Sequence, residues 1–252
     1  MRARAPRTPR RGALVVRRPV PRRAGGRDDA AHKKRIPAET QRNGGMTMKE
    51  LIKEIIALEW AFFDKVQNEG GRADCQDDFR TFEIMRGSQY EAWDEATLES
   101  WRDDLEAAKA EGRNPLAEKY GYMMIIDAPE ENRALAAMLP PVSEEKKNLA
   151  REITKRLAPQ NAAFAARYPL LAAHARPLSG AGGECTSIET YQTGELWTYS
   201  ERTLRLLAAR VSELEARGES YAELVIENGL KRRGFAGLAH AEEILRTRRA
   251  GD

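Results

Sequence analysis

Histidine and cysteine are scarce in this sequence, and each scarcity excludes a class of chemistry. Only Cys75 and Cys185 occur in 252 residues, too few for a secreted disulfide scaffold, so the chain reads as a protein of a reducing, cytoplasmic compartment. The three histidines, His32, His174 and His240, fall in no zinc-ligand spacing, which argues against zinc. Long apolar runs are missing too. The segment GALVV after Arg11 is cut off at once by Arg17 and Arg18, too short for a signal peptide or a membrane span. Alternating apolar and polar residues, the mark of strands, form no clear run, and no fixed-period repeat stands out. Neither GxGxxG nor GxxxxGK[ST] is present, so the glycine-rich stretch PLSGAGGECTS (177–187) carries no nucleotide fingerprint.

Charge is plentiful but unevenly placed. Residues 1–45 hold 14 Lys+Arg and 3 Asp+Glu, a net +11, which leaves −8 for residues 46–252 of a chain totalling +3. The basic balance belongs to the first 45 residues, and residues 46–252, being acidic, have no electrostatic basis for holding nucleic acid. Residues 1–45 are Arg/Pro-rich without periodicity and read as a disordered tail. Three explanations stand: a basic interaction tail, an Arg-rich targeting peptide, or a translation start assigned too far upstream. The last is favoured because Thr47–Glu50 forms a capping box directly after Met46, where helical periodicity begins.

From there the pattern is helical throughout, so residues 46–252 are expected to form an all-α domain, a single irregular bundle of about seven or eight helices. The first helix should run from Thr47 to about Asn68. Asp77 or Asp78 should cap a second and Asp94 a third, and Pro115 should open a fourth. Pro159 should kink or break a helix that starts at Ser143. Ser200 falls within the apolar arc of Leu196, Leu204, Leu207 and Val211 and is expected to point inward, bonded back to its own helix.

Two charged residues sit where apolar ones belong. Glu59 lies amid Ile52, Ile55, Ile56, Phe62 and Phe63, and Arg86 shares a face with Phe79, Phe82, Tyr90 and Trp93. Buried charges need partners, so the two are expected to meet. The pair is either a structural tie between helices or part of a ligand pocket.

The stretches NEGGRADCQDD (68–78) and TFEIMR (81–86) resemble a bacterial family known as the domain of unknown function numbered 4125. The likeness extends to MKELIKEIIALEW (48–60) and ETYQTGELWTYS (189–200), and covers roughly residues 48–235. It implies a cytoplasmic, helical bacterial protein and assigns no chemistry. Pro159 departs from the uninterrupted helix expected there.

The residues themselves suggest an enzyme acting on a small polar or anionic metabolite in an interhelical pocket. Glu59 would be its acid/base and Cys75 a candidate nucleophile near a helix N-terminus. Arg72 and Arg86 would hold the anionic group, and Gln89, Glu189, Tyr191, Glu195 and Tyr199 would complete the binding surface. The acidic turn around Glu69, Asp74, Asp77 and Asp78 has the oxygen ligands that Mg²⁺ or Mn²⁺ prefer, although capping explains Asp77 and Asp78 equally well. The alternative is a non-catalytic module that binds a small molecule or a partner protein. On either view the turn 68–78 and the segment 189–200 are expected to wall one site.

Overall fold

A computed structural model describes residues 46–67, 71–180 and 186–251. The expectations for residues 1–45, for Glu69 in the acidic turn, and for Cys185 lie outside the described residues.

Helix starts follow the sequence closely. Eight helices begin behind a Ser, Thr, Asp or Asn whose side chain accepts a backbone N–H of the first turn, satisfying donors that the helix itself leaves open. In chain order they are α1 (Met48–Phe63) with the Thr47 capping box, α2 (Phe79–Tyr90) capped by Asp78, α3 (Glu95–Ala110) by Asp94 and α4 (Pro115–Asp127) by Asn114. A four-residue α5 (Arg133–Ala136) precedes α6 (Glu144–Arg167), capped by Ser143, and a four-residue α7 (Pro169–Ala172) follows it. Then come α8 (Ile188–Leu196) behind Ser187, α9 (Glu201–Ala216) behind Ser200, α10 (Tyr221–Arg232) behind Ser220, and α11 (Leu238–Gly251). A short 3₁₀ turn spans Asp74–Asp77. The fold is all-α and irregular, and among the described residues no helix is long and apolar enough to cross a membrane.

Several local expectations are corrected. α1 ends at Phe63, not near Asn68. Gln76, 1% exposed, holds that end: its Nε2 donates to the carbonyls of Phe63 and Val66 and its Oε1 accepts the Ala73 N–H. α6 runs unbroken through Pro159. The carbonyl freed four residues earlier belongs to Lys155, and both residues are exposed, so the lost bond falls on the solvent side of the helix. Ser200 is not bonded inward along a helix. It caps α9, accepting the Thr203 N–H, while its own N–H goes to Asp104.

The core is one cluster. Ile55, Leu98, Leu105, Ile153, Leu204, Val211 and Leu214 are fully sealed, with Trp93, Trp101, Tyr90 and Tyr199 packed edge-on or tilted between them. α1 packs on α2, α3 and α4; α4 lies along α8; α6 lies against α8, α9 and α10; and α10 returns to α2. The pairs α4–α8 and α2–α10 approach closely at Gly194 and at Gly87 and Gly229. This arrangement brings α1, α2, α4 and α8 together around one point.

Candidate functional site

That point is occupied by charge. Glu59, entirely sealed from solvent, takes the Arg86 guanidinium with both oxygens: Nε donates to Oε2 at 2.7 Å and Nη2 to Oε1 at 2.5 Å. The other side of the guanidinium meets Glu195, Nη1 to Oε1 at 2.8 Å, and also Gln89 Oε1 at 3.0 Å. Nη2 donates further to the Tyr90 hydroxyl at 2.5 Å. All five N–H donors of Arg86 are thus engaged. The second oxygen of Glu195 pairs with Lys119 Nζ. Trp101 Nε1 lies 3.2 Å from Glu59 and 2.9 Å from Tyr90 Oη, and Tyr199 Oη donates to Glu195 at 2.7 Å. The four charges alternate in sign and sum to zero, which is the condition under which burial of so many ions is tolerable.

Burial alone would discharge these groups, and the alternation reverses it. Burial works against the Arg86 charge, but Glu195 and Glu59 hold its pKa well above the ordinary value. Burial likewise pushes Glu195 up, yet Arg86 and Lys119 outweigh it and keep the carboxyl well below 4.5. Lys119 is raised above 10.5, since Glu195 more than offsets its burial. Tyr90 and Tyr199 are raised well above 10, first by burial and then by the carboxylates, so both remain neutral donors.

A pH dependence follows. Because the folded pKa of Glu195 lies below its unfolded value, the unfolded chain takes up the proton first as pH falls. The stability Glu195 contributes is therefore complete above about pH 4.5 and is lost as pH drops through the depressed folded value. Lys119 has the opposite sign, complete below 10.5 and lost only as pH rises past its raised value. Glu195→Gln should have a lower melting temperature at neutral pH and a shallower fall between about pH 5 and pH 3. Thermal scans across that range check it, and an unchanged acid slope would mean that Glu195 is not the titrating group.

The structure brings some of the residues singled out in the sequence together and leaves others apart. Glu59, Arg86, Gln89, Glu195 and Tyr199 converge, so the stretches 81–86 and 189–200 meet, through the Arg86–Glu195 contact. The turn does not take part. Arg72 folds back on the end of α1, pairing with Asp64 at 2.7 Å and Asp77 at 2.8 Å and donating to the Gln76 carbonyl. Partners five and eight residues away were within easier reach than α8. Asp78 is the α2 cap. Cys75 is exposed on the 3₁₀ turn and Glu189 is exposed at the start of α8. Among the described residues, no three His, Cys, Asp or Glu side chains gather as metal ligands. Tyr191 stays close, its ring facing Lys119 Nζ at 3.7 Å and the Arg176 guanidinium at 4.8 Å. Lys119 and Trp101 belong to the network and were not anticipated.

Beside the network lies a cavity of about 300 Å³. Gln89, Glu195 and Tyr199 form one wall, and Ile153, Leu157, Leu207, Val211, Val225 and Ile226 supply most of the rest. Glu59, Arg72 and Cys75 do not line it.

An all-α bundle tied at its centre by a charge-balanced network, with an apolar cavity against one side of that network, is the class of protein that fold and site define. The chain belongs to the family described as Protein of unknown function (DUF4125), which matches residues 49–243. No curated protein and no solved structure matches the chain.

Proposed function

We propose that this protein is a small-molecule-binding module whose ligand is largely apolar and sits in the cavity between α6, α8, α9 and α10. The carrying observation is the division of labour at that cavity. Its walls are mostly aliphatic, while the polar groups at its base are already paired with one another. Pockets of roughly 300–1,000 Å³ with apolar walls and few polar groups are the usual form of a small-molecule site. A preformed, rigid base lowers the ordering cost of binding.

The same geometry favours binding over turnover. An acid/base must reach the proton that it moves, and Glu59 is sealed, held by Arg86 and Trp101, and outside the cavity wall. Arg86 has no donor left for an anion. The network is best read as the floor of the site: Gln89, Glu195 and Tyr199 face the cavity, while Glu59, Arg86 and Lys119 stand behind them.

The test uses the neutral fluorophore phenylnaphthylamine, which brightens in apolar surroundings. One saturable site per chain is expected, and Val225→Trp, which fills the cavity from a half-buried position, should abolish it while circular dichroism stays unchanged. Absence of saturable binding, or equal binding by the variant, would overturn the proposal.

A further inference from the structure

The inward face of α6 lines more than one space. Ile153 and Leu157 face the cavity described above, while Phe164 and Ala165, about two turns further along the helix, face a second cavity of about 360 Å³. Ala172, at the end of α7, and Ala175 and Leu178 beyond it supply much of the second cavity's apolar wall. Leu178 is 42% exposed, so an apolar side chain stands where this cavity reaches the surface. The two cavities share Asn161, Arg176, Ile188 and Ile226 and therefore meet at a common neck.

Length follows from the helix. From Ile153 to Ala165 the lining of α6 extends about 18 Å at 1.5 Å per residue, and about 12 Å of that lies before the neck at Asn161. A staggered chain with C–C bonds of about 1.5 Å advances roughly 1.3 Å per carbon. The first cavity thus takes about nine carbons in a row, and the two together about fourteen. A compact ring system can occupy one cavity only, whereas a chain can thread the neck and bury apolar surface in both.

Among the described residues lining the two cavities, Glu195 and Arg176 carry charge, and both are engaged. One oxygen of Glu195 accepts from Arg86, Gln89 and Tyr199, and the other pairs with Lys119. Arg176 donates to the Thr186 carbonyl and lies over the Tyr191 ring. Neither calls for a charge on the ligand, and a charge brought among aliphatic walls without a partner is costly.

Building on the binding reading above, we infer that the two cavities form one channel and that its ligand is an uncharged molecule with an unbranched hydrocarbon chain, long enough to pass the neck into the second cavity. Alanine at 165, 172 and 175 leaves the room that the far part of the chain fills.

Displacement of phenylnaphthylamine from the full chain by hexanol, octanol, decanol and dodecanol, each below its solubility limit, tests the inference. Every added methylene that finds apolar wall should tighten competition about threefold to fourfold, and the gain should continue from decanol to dodecanol. Ala165 is half-buried and lines the second cavity but not the first. Ala165→Trp should therefore erase the gain beyond decanol while circular dichroism and the binding of fluorophore and octanol stay unchanged. Dodecanoate should compete no better than dodecanol. A gain that ends by decanol in the wild type, one that persists to dodecanol in Ala165→Trp, loss of octanol binding in that variant, or a preference for dodecanoate would overturn the inference and leave the binding reading intact. A wild type that takes neither the fluorophore nor any of the alcohols would overturn both.

Discussion

Arg86→Met should destabilise the protein by about 3–5 kcal/mol, the typical result of leaving buried charge without its partner. Here two carboxylates lose the cation that lies between them, Glu59 on one side and Glu195 on the other. Methionine fills much of the same volume, so the loss is electrostatic more than a matter of packing. The second substitution that best restores stability is determined by the alternation of charge. Glu59→Gln in the Arg86→Met background leaves Glu195 with Lys119, a neutral pair, and a glutamine that can still accept from Trp101. Glu195→Gln in the same background strands Glu59 without a cation and Lys119 without an anion. Urea unfolding should therefore show strong recovery in the first double variant and little in the second, with coupling between Glu59 and Arg86 of at least about 1 kcal/mol. If Arg86→Met alone is too unstable to measure, the two doubles still rank. Equal recovery by both, or additivity of the Glu59 and Arg86 effects, would show that the four charges do not act as an alternating set.

Half of this network was legible in the sequence, for reasons that explain what was not. Glu59 and Arg86 each interrupt an amphipathic helix, and an interruption of a periodic pattern can be seen without knowing the partner. Helix caps were legible for the same kind of reason, since a cap is decided within four residues. Lys119 was hidden because α4 is packed against α1, α5 and α8, and so has no single polar face for a lysine to violate. Arg72 was misplaced because periodicity says nothing about how a turn folds back, and its nearest carboxylates lay in its own neighbourhood. The continuation of α6 through Pro159 was missed for a different reason. A proline within a helical pattern predicts a kink or break whatever surrounds it. The exposure of Pro159 and Lys155, which lets the helix continue, is a tertiary fact.

Gly194→Val should be among the most damaging substitutions away from the charges themselves. Gly194 is where α8 lies against α4. A Cβ there would stand 2.7 Å from Met123 Cγ, 3.1 Å from the Lys119 carbonyl oxygen and 3.3 Å from the Met123 nitrogen. Two of these neighbours are backbone, and Met123 is itself buried, so the helices must separate. Overpacking of this kind costs about 1–3 kcal/mol. The next residue, Glu195, pairs with Lys119 across the same contact, so separation also stretches a buried ion pair, and the loss should exceed that range. Gly87 is the comparison. The three atoms nearest its Cβ would all belong to the end of the Arg232 side chain, at 2.5–2.7 Å, and that guanidinium can swing away from Glu91 at the surface. Gly87→Ala should be close to neutral, helped by alanine's advantage of roughly 1 kcal/mol in a helix. Melting temperatures of Gly194→Ala, Gly194→Val and Gly87→Ala give the comparison, and the acid slope of stability adds a second measurement. Gly194→Val should flatten that slope, as Glu195→Gln does, because a Glu195 drawn away from Lys119 loses part of what holds its pKa down. A destabilised Gly194→Val with the wild-type acid slope would mean that the α4–α8 contact and the charge network are independent.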